Sequence, residues 1–557
     1  TFAYAFRENI FPVLKGVVIS SAILLLFAFL TYRFIYSPLH AISLYKEGYR
    51  KIQAAEYSTA NRYFTTAGKI WKVKGWYYQY AEAFVSEKQF ILAEEKYDQL
   101  LKDYPGDKKG ILDYAKLETN NLGNYKKAEK FLNTLLDKDM YDYDALLAAG
   151  DNYMAWGAED ASKYEKARFS YASILDRYGD DRVTLFRMLR YFIKTDKYAQ
   201  AEKLYIALSE EKTKKADPQV YAELAGYFID KGKLEHVQDI LFKALDEAKE
   251  MPLIHYELAR YYRKIGEMAD EKTALDATLT LLNNKKSLNR DLTRVKIDTY
   301  DRLGELYRRQ GEVIRAEESF QKAKKLIENS QDKKILGRER LFGKVYYNLG
   351  DIYYYVDNNL DTAKYLYGKA KQNLYESVDL NYKVGYIDYL KKTNNFKDAL
   401  LKFASVLGED PENRNALYAM ATTLYYRDDY SAAQGYYLQL LDKLENERNN
   451  LPIIDPYNNP EHRALIEYLV RVYNNLGVTL YKLSMRTGDT RKYTDALVDL
   501  TRSSEFYDIL ARNQTTMIRT KTKNLAFLNQ DALLHPKSNF IPQVYWRLQK
   551  DLNRTEF

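Results

Sequence analysis

From residue 41 to about residue 512, apolar positions recur in short helical bursts, two bursts at a time. The clearest unit reads "YDRLGELYRRQGEVIRAEESFQKA". Tyr300, Leu303, Gly304 and Tyr307 fall at i, i+3, i+4 and i+7, one face of a helix. Gly311 marks a turn, and Ala316, Phe320 and Ala323 line one face of a second helix. Small residues at Gly304 and Ala316 let the two helices approach closely, and the large residues fill the space beside them. "NLGDIYYYVDNNLDTAKYLYGKA" repeats the unit: Tyr346, Leu349, Gly350 and Tyr353, then Ala363, Tyr367 and Ala370. On this pattern Tyr346, Tyr353 and Tyr367 are core aromatics.

The same spacing places Gly48, Ala60, Phe64 and Ala67 in one unit and Tyr77, Tyr80, Ala81, Phe84, Ala93 and Tyr97 in the next. It continues through Gly150 and Tyr171, Leu189 and Tyr205, Tyr221 and Leu241, and Ala259 and Leu275. Beyond residue 400 it returns in Leu417, Ala421 and Tyr437, and in Tyr473, Leu476, Gly477 and Ala496. We count about twelve units. The pattern resembles the tetratricopeptide repeat, W-x2-L-G-x2-Y followed by A-x3-F, with Tyr replacing Trp in several units. The resemblance implies an all-α fold: a right-handed superhelical solenoid of antiparallel helix pairs, with a concave groove that binds protein segments. The expected organisation is an arm and anchor over residues 1–40, the solenoid over 41–512, and a C-terminal capping helix and tail over 513–557. "VYWRLQKDLN" is expected to cap the open end of the array. Insertions are expected at Leu281–Ile297, Ile327–Lys344 and Leu444–Arg463, the last a loop rich in Pro and Asn.

One stretch has no polar face at all. "GVVISSAILLLFAFLTY", residues 16–32, is uncharged between Lys15 and Arg33. Extended to residues 13–36, it can cross a bilayer core, which takes about 20 residues. A cleaved signal peptide would need small residues at a cleavage site, but "RFIYSPLHA" is bulky. A retained single-pass anchor is therefore expected. Basic residues flank both ends, so charge does not set its orientation.

Composition narrows the function. Among 557 residues, Tyr is the outlier at 54 copies, while Pro and Gly are sparse at 11 and 24. The net charge of +8 is spread along the chain, without the clustered basic face that a nucleic-acid partner needs. There is no cysteine, which excludes disulfides and thiol chemistry. The five histidines form no i, i+4 metal pair. His255 falls at a core position of its repeat. "GRERLFGKV" departs from a phosphate loop by one residue and ends in Val345 rather than Ser or Thr. "DNNLD", Asp357–Asp361, lacks the glycine and distal Glu of a Ca²⁺ loop and reads as a helix-pair turn. No enzyme is expected, and no cofactor or metal.

What remains is a second stripe on the first helix of each pair. Adjacent helical residues diverge by about 100°, so Tyr354 and Tyr355 cannot share the direction of Tyr353. With Tyr347 and Asp351 they form a stripe that lines the groove in the tetratricopeptide family. Its counterpart two units on carries Tyr418, Thr422, Tyr425 and Tyr426, and the next unit offers Asn474 and Tyr481. Upstream the stripe is basic: Tyr256, Arg260, Arg263 and Lys264, then Arg308 and Arg309. The expected groove is cationic in the middle and phenolic toward the C-terminal part. Tyr and Arg are the types favoured at protein-binding hot spots. The Lys and Asn that clamp a terminal carboxylate in chaperone-binding members are not in place.

Anchor, array and tyrosine richness together are similar to the tetratricopeptide collar proteins of spirochaete periplasmic flagellar motors. That resemblance implies an inner-membrane protein with its solenoid in the periplasm. Its partners would be collar, stator or basal-body components, and its role motor assembly, stator placement and motility. The alternative is a membrane-tethered adaptor that captures transient clients for export, envelope biogenesis or quality control.

Overall fold

The computed structural model describes residues 2–210, 215–285, 287–511, 516–535 and 540–554. Every regular element among them is helical. The chain divides into two compact units, residues 1–257 and 258–557.

At the N-terminus, helix Phe2–Thr31 runs through a π-helical turn, Tyr32–Tyr36, into Ser37–Gln53. The stretch Val13–Gln53 is long and apolar enough to cross a membrane, and its apolar window is wholly exposed. Leu24, Leu25 and Phe27 project outward with about two-thirds of their surface uncovered.

The first unit then stacks six helix pairs, from Ser37–Gln53 with Tyr57–Ile70 to Pro218–Asp230 with Val237–Glu247. In the second unit, Met268–Asn283 packs on Arg290–Arg309, which pairs with Val313–Asp332. Four further pairs follow: Arg340–Tyr355 with Leu360–Gln372, Val378–Leu390 with Lys397–Glu409, Arg414–Tyr426 with Tyr430–Asn449, and Pro460–Thr487 with Thr490–Ala511. Short turns make each pair antiparallel. Thr516–Leu534 packs against the last of them. The all-α helix-pair architecture is the one the repeat pattern predicts.

Local chemistry starts and closes these helices. Asp107, Asp142, Asp181 and Asn413 each cap a first helix by accepting a backbone N–H with the side chain. Asn359 of "DNNLD" caps Leu360–Gln372 in the same way, which accounts for that turn. Gly311 sits at φ 77°, a conformation that side-chain-bearing residues resist. Two helix-interior glycines serve close approach instead. A Cβ on Gly304 would lie 2.5 Å from the Phe320 ring, and one on Gly350 would lie 2.7 Å from the Tyr367 ring.

The largest fully buried side chains are all tyrosines, Tyr45, Tyr80, Tyr171 and Tyr367 among them. A buried phenol needs an acceptor, and the paired helix supplies one. Tyr171 donates to Asp151 (2.8 Å) and Tyr367 to Asp351 (2.8 Å). Tyrosine richness is in large part a property of the core.

Three expectations change. Two of the insertions are mostly helical extensions, Arg290–Arg309 and Val313–Asp332 being each 20 residues long; in the third, the helix Tyr430–Asn449 takes the first part and residues 450–459 form the expected loop. Tyr353 is only half-buried and donates to Glu317 (2.6 Å), whereas Tyr354 is fully buried. Finally, "VYWRLQKDLN" is not helical; from Phe540 to Gln549 the backbone forms neither helix nor strand. Val544, Leu548 and Leu552 fall at i, i+4 and i+8, which suits one face of a helix and, being even-numbered steps, one face of a strand equally well.

Candidate functional site

Segment 541–554, outside any helix or strand to Gln549 and turning over residues 550–553, lies along the inner face of the second unit. Its floor is built from Arg340–Tyr355, Val378–Leu390, Arg414–Tyr426, Pro460–Thr487 and Thr516–Leu534, the first helices of successive pairs and the closing helix. Each one presents amides or phenols to the segment's main chain.

Two asparagines act as a surrogate strand. Asn529 donates to the Gln543 carbonyl (2.7 Å) and accepts the Gln543 N–H (2.9 Å). Asn475 does the same for Tyr545, at 3.1 and 2.7 Å. Residues two apart are therefore read on both backbone groups, as a neighbouring β-strand would read them. Asn474 adds a donor to Gln543 (3.1 Å). Phenols then take the carbonyls in order: Tyr418 on Tyr545 (2.7 Å), Tyr389 on Trp546 (2.7 Å), Tyr382 on Gln549 (2.9 Å) and Tyr354 on Lys550 (2.7 Å). Asn415 closes the row on the carbonyls of Asp551 (2.7 Å) and Leu552 (2.9 Å). Its own oxygen is held by the Tyr468 hydroxyl.

Side chains set the segment's depth. Val544, Leu548 and Leu552 are at least nine-tenths buried and join the core between the helices. Full burial of an aliphatic side chain is worth about 1.5–3 kcal/mol. Lys550 lies over the rings of Tyr354 and Tyr355 (4.9 and 5.6 Å), and the Tyr355 hydroxyl meets the Asp551 carboxylate. Trp546 and Ile541 stay outside, each more than half exposed.

Upstream of the segment the inner face is charged but internally matched. Asp301, Glu305 and Asp351 are buried there. Lys344 pairs with Asp301 (3.2 Å) and Glu305 (2.7 Å). Buried Lys383 pairs with Asp351 (2.9 Å) and Asp379 (2.7 Å), and donates to the Tyr347 hydroxyl (2.9 Å). Burial works against the Lys383 charge, but Asp351, Tyr347 and Asp379 outweigh it and raise the ammonium's pKa. Asp351 is raised by burial in spite of Lys383.

The expected stripe residues divide accordingly. Tyr354 and Tyr418 are fully buried beneath the segment, Tyr355 is partly exposed at its edge, and Tyr347 is half-buried in the Lys383 network. Tyr425 and Tyr426 pack edge-on to each other, and Tyr426 stacks on Phe396. Tyr481 is half-buried against Tyr493, and Thr422 lies fully buried against the Tyr437 hydroxyl. The basic part is not a bare cationic surface. Arg263 is paired with Glu305, Arg309 with Glu271, and Arg308 lies 3.7 Å from Asp351. Tyr256 and Arg260 are half-buried, and Lys264 is exposed in the last turn of its helix.

The stripe missed Asn415, Asn475 and Asn529, and Tyr382 and Tyr389. For two of them the signal was present: asparagine is a poor residue for a helix interior, so Asn475 and Asn529 inside their helices needed a reason, whereas Asn415 sits in the first turn of its helix. In the first unit, a cavity of about 520 Å³ is lined by Lys116, Asn152, Tyr171, Arg187 and Arg190. Its two arginines are also matched, Arg187 to Asp151 and Arg190 to Glu223.

No protein-family model and no curated protein matches the chain. Among solved structures, a tetratricopeptide repeat protein from Parabacteroides merdae is similar over 49% of this chain and 96% of its own, at 15% identity and a TM-score of 0.35. The C-terminal part of a TPR repeat-containing protein from Cytophaga hutchinsonii matches 51% of this chain and 95% of its own, at 15% identity and 0.34. The human IFIT1 dimer with PPP-AAAA matches 71% of this chain and 88% of its own, at 13% identity and 0.37.

Proposed function

We propose that this protein is a non-enzymatic scaffold, tethered to the inner membrane through residues 13–36, that holds other proteins in a multi-subunit envelope assembly. The observation that carries the reading is the inner face of the second unit, where amides and phenols grip a polypeptide by its main chain. The exposed apolar helix supplies the tether. In the narrower form of the proposal the solenoid lies in the periplasm and belongs to a flagellar motor collar, contributing to motor assembly, stator placement and motility. That form draws on the resemblance in layout and tyrosine richness.

Purification from membranes in mild detergent tests both levels. Stoichiometric recovery with motor components supports the collar. Recovery with varied, substoichiometric clients replaces the scaffold with a transient adaptor. Recovery in the soluble fraction removes the tether.

A further inference from the structure

We propose that segment 541–554 is exchanged between copies, so that the groove of one chain seats this segment from a second copy. The inference goes beyond the scaffold reading and stands whether or not residues 13–36 enter a membrane.

The argument begins with what the groove recognises. Asn529, Asn475, Tyr418, Tyr382, Tyr354 and Asn415 read main-chain groups, and the aliphatic anchors are Val544, Leu548 and Leu552. An identical segment from another copy offers every one of these groups. Nothing in the seat distinguishes the chain's own segment from a second one.

The second point is distance along the chain. The segment's partners lie up to 196 residues away in sequence, and it passes from the closing helix back to Arg340–Tyr355. It is a C-terminal segment whose anchors complete the core between distant helices, like an element exchanged in domain swapping. Its own copy is favoured only by effective concentration. Packing copies closely together narrows that advantage. The contact is heterologous, groove on one chain and segment on the next, so it can close a ring or extend a row.

The chain has no cysteine, which makes a labelling test clean. Tyr355 and Asp551 meet at the partly exposed rim of the groove. A Tyr–Asp contact holds the backbones further apart than a disulfide spans, so a short bis-maleimide is the suitable linker. Full-length Tyr355→Cys and full-length Asp551→Cys are made separately, mixed and cross-linked. A covalent dimer that grows with protein concentration is expected from the mixture, well above either variant alone. Adding Asn475→Ala to the Tyr355→Cys chain should lower its yield several-fold. The double variant in one chain is the control, and closes on itself at low concentration.

If the mixture gives no dimer at any concentration while the double variant closes, each segment is confined to its own groove and the proposal fails. It fails equally if the single variants alone dimerise as well as the mixture, or if the double variant does not react. None of these outcomes bears on membrane recovery, so they are separable from failure of the scaffold reading.

Discussion

At the scale of single residues, "YYY" at 353–355 shows how three identical side chains take three roles. Tyr353 is half-buried with its phenol on Glu317, Tyr354 is sealed beneath the segment, and Tyr355 stands at the rim. Helical geometry alone separates them. Tyr354→Phe should cost about 1 kcal/mol, the price of one buried hydrogen bond. Tyr354→Ala should cost about 3–5 kcal/mol by opening a cavity. Denaturant unfolding of the second unit measures both. A paired substitution at Tyr354 and Tyr355 is therefore expected to lower stability markedly, contrary to what a solvent-facing stripe would give. A second residue-scale prediction concerns Asp499. Burial, with help from the Asp495 charge, pushes its carboxyl up to about 7. The folded state then holds this proton to a higher pH than the unfolded chain does. Stability should fall as pH climbs from about 4 through about 7, and be unaffected at lower pH. Asp499→Asn should remove that slope in melting temperature between about pH 4 and about pH 7.

At the scale of elements, helix pairs are limited by how closely their axes approach. Gly350→Ala places a methyl 2.7 Å from the Tyr367 ring, against a side chain whose phenol is fixed on Asp351. The ring cannot swing away freely, so a loss of about 1–3 kcal/mol is expected. An Ala at Gly75, which has nothing nearby, is the comparison. The groove supplies another test. Asn475→Ala removes the acceptor of the Tyr545 N–H and one of the two donors to its carbonyl, the Tyr418 hydroxyl remaining on the latter. The Tyr545 amide should exchange with solvent at least tenfold faster, an effect of about 1.4 kcal/mol or more, while amides in the first unit keep their rates. Unchanged exchange at Tyr545 would mean that the segment does not depend on this clamp.

At the scale of the whole molecule, two surfaces are unlike the rest. The apolar helix leaves its leucines and phenylalanines uncovered among the described residues, and on the proposed reading a bilayer covers them. The chain is expected to resist alkaline extraction from membranes, and removal of residues 1–40 should release it to the soluble fraction. The groove, by contrast, has cover. Repeat arrays bury each pair only against its neighbours, and the segment ties pairs that are distant in sequence. Deleting its anchors with Val544→Asp and Leu548→Asp should broaden the unfolding transition of the second unit, because pairs then melt more independently. A transition as sharp as that of the unaltered chain would show that the segment adds no coupling.

The sequence by itself determined the helices, their pairing and the membrane-length apolar run. Those depend on periodicities of 3.6 residues and on small residues such as Gly304 and Ala316, and both are local. It also placed Tyr354, Tyr355 and Tyr418 on the stripe that became the groove. Only the tertiary structure decided what covers that stripe. Val544, Leu548 and Leu552 satisfy helical and extended spacing alike, and the choice fell to partners up to 196 residues away. The pairing of Arg263 with Glu305 and of Arg309 with Glu271 was hidden for the same reason. Charge balance across neighbouring repeats is a long-range fact, and a pattern read one helix at a time counts only one side of it.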